Sequence, residues 1–122
     1  MPFVAYEKNG LGDRPSISIR TNGRVGLNKE ARDILGENAY VVLYINKEES
    51  QIGIKPVSSD KVPGARFVRK PQRDAFFLAL DFLEEFDLKR LISKRLPCKW
   101  DKATGMLVAS YPANSLVEEQ DL

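Results

Sequence analysis

The chain has no histidine and only one cysteine, Cys98, among its 122 residues. Without histidine it lacks both the commonest general base and the commonest zinc ligand, and one thiol builds neither an intrachain disulfide nor a thiolate metal site. No GxGxxG or GxxxxGK[ST] run is present to cradle a phosphate with backbone amides. Carboxylates occur as neighbours at Glu48-Glu49 and Glu84-Glu85, but adjacent residues leave a helix or strand in different directions and do not converge on one substrate atom. These absences argue against an enzyme, and no metal or organic cofactor is expected. Apolar runs fall well short of the roughly 20 residues that cross a bilayer. The opening "MPFVAYEKNG" has neither the basic nor the apolar region of a secretory signal. The expectation is a cytoplasmic protein without a membrane partner, with which a lone thiol agrees.

What is present reads as one ordinary globular domain, since 43% of the residues are hydrophobic and 30% charged. The formal charge is +2, but the last ten residues, "ANSLVEEQDL", hold three acids and no base, which leaves +5 for residues 1–112. That excess matters only if it is concentrated. A single domain over 1–112 followed by a flexible acidic tail, 113–122, is expected.

Phe3 to Glu7 reads as a short strand and "KNGLGDRP" as a loop. In "SIRTNGRVGL", residues 18–27, an arginine stands on each side of a turn. A two-residue Asn22-Gly23 loop would put Ile17 and Ile19 on the face opposite Val25 and Leu27. A three-residue loop, Thr21-Asn22-Gly23, with Gly23 left-handed, pairs Ile19 with Val25 and Ile17 with Leu27 and gives one apolar face. This register sets Arg20 opposite Arg24 on the other face, where like charges repel unless an anion or carboxylate intervenes. "LNKEARDILG" then has the grammar of a short helix: Asn28 as cap, Ala31, Ile34 and Leu35 on one face, and Gly36 as stop. Two strands follow. "YVVLYIN" is apolar on both faces and expects cover on both, whereas "QIGIKP" alternates.

Residues 57–64, "VSSDKVPG", read as a linker, and beyond them the same order of elements returns. "ARFVRK" and "DAFFL" read as strands around the turn "KPQR". "ALDFLEEFDL" reads as a helix with Ala79, Phe82, Leu83 and Phe86 on one stripe. "RLPCKW" and "GMLVASYP" form a hairpin around "DKATG". The expected fold is α+β, mainly β, with two strand–strand–helix–strand–strand repeats, about 15–57 and 65–112, forming one compact barrel-like pseudo-dimer. Both repeats carry cations at the first hairpin: Arg20 and Arg24 in one, Arg69, Lys70 and Arg73 in the other.

"GRVGLNKEARDILG", residues 23–36, resembles the core motif of the AbrB/SpoVT swapped-hairpin family of DNA-binding regulators. Gly23, Arg24, Val25, Leu27, Glu30, Arg32, Leu35 and Gly36 match its pattern without a gap. Asn28 stands where the family has proline, Asp33 where a second arginine is common, and the second half has no Gly-Arg turn. The resemblance implies a double-split barrel of two interlaced units, carried in one chain as in MraZ-like tandem proteins, with basic residues around the turn facing DNA. On that basis Arg20, Arg24, Arg32, Arg69, Lys70 and Arg73 are the candidate nucleic-acid contacts and DNA the candidate partner, and a homodimer is compatible with it. Two alternatives stay open: a protein-interaction module or assembly subunit without nucleic-acid affinity, and a single-strand binder that stacks bases on Tyr40, Tyr44, Trp100 or Tyr111.

Overall fold

Ser16–Ile19 (β1) and Arg24–Leu27 (β2) pair with Ile17 opposite Leu27 and Ile19 opposite Val25 in the computed structural model, which describes residues 14–70 and 75–112. This is the register of the three-residue turn. Gly23 takes φ +84° and donates its N–H to the Arg20 carbonyl at 3.0 Å, while the Arg20 N–H reaches the Arg24 carbonyl at 2.9 Å. Glycine is required here on two counts, because an added Cβ would also lie 2.6 Å from Cβ of Leu80. The strand expected over Phe3 to Glu7, the tail 113–122, and Arg73 in the expected turn "KPQR" lie outside the described residues.

Lys29–Leu35 (α1) begins at Asn28, whose side-chain oxygen accepts from the N–H groups of Ala31 at 2.9 Å and Ser16 at 3.1 Å, and whose amide donates to the Arg14 carbonyl at 2.7 Å. One side chain thus caps the helix and ties it to β1. Gly36, at φ +70°, ends it. Ala31 and Leu35 are buried, but Ile34, expected on the same stripe, is 36% exposed. At about 100° per residue Ile34 sits to one side of Ala31 and Leu35, at the edge of the buried stripe.

Tyr40–Asn46 (β3) and Gln51–Val57 (β4) form a long hairpin. The rest comprises Arg66–Phe67 (β5), Ala75–Leu78 (β6), Leu80–Glu85 (α2), a 3₁₀ turn at Lys89–Leu91, Arg95–Asp101 (β7) and Met106–Ser110 (β8). The strands form one antiparallel sheet in the order β5-β3-β4-β8-β7-β1-β2-β6, and a bridge between Arg69 and Phe76 draws the two ends together into a nearly closed barrel. The β1–β2 hairpin therefore lies between β7 and β6, both from later in the chain. Ile17, Leu27, Ile54, Phe77, Leu83 and Leu107 are fully buried inside. Ala79, Phe82 and Leu83 of the expected α2 stripe are buried with Phe86 packed beside them, although α2 stops earlier than expected because Asp87 turns left-handed at φ +58°.

Expected cover on both faces of β3 is only partly found. Val41, Leu43 and Ile45 face the core, but Tyr44 is 46% exposed. Tyr40 and Val42 are shielded by the chain at 64–67 rather than by a second layer, with the Tyr40 and Phe67 rings 5.7 Å apart. Cys98 is a packed thiol whose burial pushes its pKa up to about 12, so it stays protonated and unreactive at neutral pH.

Arg66 joins β5 to the first turn of α2. Its guanidinium donates to both carboxylate oxygens of Asp81, at 2.8 and 3.0 Å, and to the Leu78 carbonyl at 3.0 Å. The Arg66 hydrogen bonds hold the Asp81 carboxyl below its usual range, against a smaller opposing effect of desolvation.

Two predictions follow from these contacts. Gly23→Ala and Gly105→Ala both place a side chain at positive φ, but only Gly23 meets a neighbour, Gly105 having no atom within 4 Å. Gly105→Ala is expected to cost about 1 kcal/mol and Gly23→Ala roughly 3 kcal/mol, read from urea unfolding midpoints; equal losses would contradict the close approach to Leu80. Because the folded Asp81 pKa is depressed, its stabilisation is present above the ordinary carboxylate range and is lost as pH falls through the folded value. The stability gap between the parent and Asp81→Asn should therefore narrow as urea titrations are moved from neutral pH to about pH 3.

Candidate polyanion-binding face

With Ile17, Ile19, Val25, Leu27, Ala75 and Phe77 turned inward, the alternate residues Ser18, Arg24, Gly26, Phe76 and Leu78 fall on the other face of the sheet. Strand register then lines up Arg95, Ser18, Gly26, Phe76 and Arg69 in a single row across the outer surface. One step toward the first hairpin turn, Arg20 lies opposite Arg24, and Arg24 opposite Leu78. Four guanidinium groups, those of Arg95, Arg20, Arg24 and Arg69, thus share one face. Among the described residues none of the four is in an ion pair: the pairs formed are Lys29–Asp33, Arg66–Asp81 and Lys89–Glu84.

The opposed arginines avoid each other by diverging. Arg20 folds across Gly26, its Nη2 only 3.0 Å from where a Cβ would stand, so the missing side chain is what lets the guanidinium lie down. Arg24 turns the other way and rests over the Phe76 ring, its Cζ 4.4 Å from the centroid. A cation–π contact of this kind at the surface contributes roughly 0.5–1 kcal/mol and leaves the N–H groups free to donate outward. Arg69 has its Cζ 6.0 Å from the centre of the Phe67 ring, and Phe67 is 54% exposed. Together Phe67, Arg69, Lys70 and Phe76 line a shallow depression of about 380 Å³.

Lys70 and Arg32 do not add their charges to this row. Lys70 reaches the carbonyls of Gly36 and Asn38, both at 2.9 Å, so its ammonium is directed to the C-terminal end of α1. Arg32 is half-buried on α1, which packs on the core side through Ala31 and Leu35, and it is not part of the strand row. Arg69 does not adjoin the first hairpin turn either. β2 and β6 run antiparallel with Arg24 opposite Leu78 and Leu27 opposite Ala75, so the turn at 21–23 lies at the Leu78 end of that pair, whereas Arg69 bridges to Phe76 nearer the Ala75 end. The shared feature is the sheet face between them.

Arg95, Phe67 and Phe76 were not among the residues singled out from sequence. Alternation in "RLPCKW" was a usable signal that Arg95 points away from Leu96 and Cys98, but not that its neighbour is Ser18. Of the aromatic residues weighed as a stacking platform, Tyr40 lies beside Phe67 and the other three are dispersed. Tyr44 shares an outer row with Gly53, Val108 and Lys99, Trp100 opposes Leu107 on the other side of the sheet, and Tyr111 packs against the core beneath Arg90.

No group of three His, Cys, Asp or Glu side chains able to hold a metal occurs among the described residues, and no helix there is long and apolar enough to cross a membrane. No protein-family model, curated protein or solved structure matches the chain.

The placement of Lys70 generates a stability prediction. Lys70→Ala removes two charge-assisted hydrogen bonds to carbonyls at the end of α1 and is expected to lower stability by about 1 kcal/mol in urea unfolding. An unchanged midpoint would show that the ammonium does not hold those carbonyls in solution.

Proposed function

We propose that the protein binds nucleic acid, holding DNA phosphates on the outer face that carries Arg95, Arg20, Arg24 and Arg69, and that it serves as a transcriptional regulator of the tandem swapped-hairpin kind. The observation that carries the reading is the gathering of four guanidinium groups on one face of the sheet without a carboxylate partner among the described residues. A polyanion lowers the energy of such a face by exchanging repulsion between cations for contacts with phosphate and release of counterions. Phosphate contacts position a protein on a duplex without reading its bases, and the planar fork of arginine suits them.

The order of strands supports a duplicated architecture. Exchange β1 with β5, β2 with β6, β3 with β7 and β4 with β8, and the order around the nearly closed sheet becomes itself read in the opposite sense. Such invariance is what two equivalent halves related by a pseudo-twofold axis produce. The first half's hairpins β1–β2 and β3–β4 are each flanked on both sides by strands of the second half, as in an interlaced pair of units.

A single-stranded ligand is the second reading, favoured by the exposed Phe67 ring beside Arg69. Fluorescence anisotropy titrations against duplex and single-stranded DNA over a range of salt concentrations test both. For duplex DNA held by four phosphate contacts the log–log salt slope is expected near −3 to −4. Arg24→Ala and Arg69→Ala should each weaken binding uniformly across sequences and reduce the slope by about one. A clear preference for the single strand, lost in Phe67→Ala, selects the second reading. No binding of either probe at low salt overturns both.

A further inference from the structure

Ser93 holds a left-handed backbone, φ +75°, which a non-glycine residue adopts only where its surroundings enforce it. Its N–H donates to the Ile19 carbonyl at 2.7 Å, and the Ile19 N–H donates to the Lys94 carbonyl at 3.0 Å, so the turn entering β7 is stitched to the end of β1. The stitch brings Ser93, Lys94 and Arg95 beside Ser18, Ile19, Arg20 and Thr21 around a concavity of about 430 Å³. Among the described residues its lining includes three basic residues and three hydroxyls and no carboxylate.

We infer that this concavity seats a terminal phosphate monoester, supplied by a nucleic-acid end or by a free nucleoside monophosphate. Lys94 and Arg95 beside one hollow, with Arg20 adjoining it and laid toward Gly26, are balanced better by a monoester, which carries about −1.5 to −2 charges near neutral pH, than by the single charge of a backbone diester. Hydroxyl and guanidinium donors match the three oxygens such a group presents. The volume lies in the range of small-ligand sites. Ser93, Thr21 and Lys94 stand outside the row of arginines proposed to grip the backbone, so the hollow adds a separate contact at one edge of that face. For a nucleic-acid end the inference rests on the polyanion reading above; for a free nucleotide it does not.

The test compares 3′-labelled oligonucleotides of one sequence with a 5′-phosphate or a 5′-hydroxyl, by anisotropy, and titrates the full chain calorimetrically with adenosine 5′-monophosphate and with adenosine. The phosphorylated strand is expected to bind about tenfold more tightly, and the nucleotide but not the nucleoside to give a binding isotherm. In the double variant Ser93→Gly, Lys94→Gln both differences should disappear, while the 5′-hydroxyl strand keeps its affinity within about threefold. Glycine relieves the positive φ at 93, so this variant retains the fold. If neither oligonucleotide binds but the nucleotide does, with dependence on Ser93 and Lys94, the pocket stands and the polyanion reading fails. Equal affinity for the two strand ends together with no nucleotide binding overturns the inference. So does a phosphate preference that survives unchanged in the double variant.

Discussion

Everything on the outer face depends on the burial of one short hairpin. Ile17, Ile19, Val25 and Leu27 must all face inward together, and only the register with a three-residue turn allows that. Once they do, β1 is free to pair with β7 and β2 with β6, and the polar alternates of four strands fall into rows. A slip by one residue would turn one strand over, sending Arg20 toward the core and Ile17 and Ile19 into water while Val25 and Leu27 stay inside. The arginine positions are therefore held as firmly as the apolar core that opposes them.

How the face tolerates its own charge is a matter of local packing. Among the described residues no acid pairs with Arg20 or Arg24; one lies over a glycine and the other over a phenylalanine ring. Gly26 and Phe76 are neighbours in the same row, so a single cross-strand pair provides both resting places. Repulsion is reduced by separation and by the quadrupole of an aromatic ring, which leaves the cationic charge intact toward solvent. Where neutralisation does occur, as between Arg66 and Asp81, it links β5 to α2. The division is between charges that hold the fold and charges left open to a partner.

Legibility in the sequence followed the range of the interaction. The hairpin 16–27 was readable because strand alternation and turn chemistry act within a few residues, and α1 because Asn28 and Gly36 cap it locally. Ile34 was misassigned because helical periodicity marks a stripe without saying how wide a surface will cover it. Two apolar faces on β3 suggested two covering layers, but residues 64–67 supply partial cover from the same edge. Lys70 looked like a tip cation, and the ends of α1's backbone, 32 and 34 residues away, drew it elsewhere.

By itself the sequence determined the alternation, caps and turns that specify each element, and the excess of basic side chains on the polar alternates. Those are consequences of backbone sterics and of period-two or 3.6-residue burial, which need no knowledge of distant partners. Only the tertiary structure decided that Arg95 stands in the same row as Ser18 and Arg69, that Phe76 lies beneath Arg24, and that Ser93 closes a basic hollow against Thr21. These neighbours come from strands about 50 to 80 residues apart, brought together by interlacing hairpins. Adjacency of that kind is set by which edges pair, and a pattern of side chains along one strand carries no record of the strand beside it.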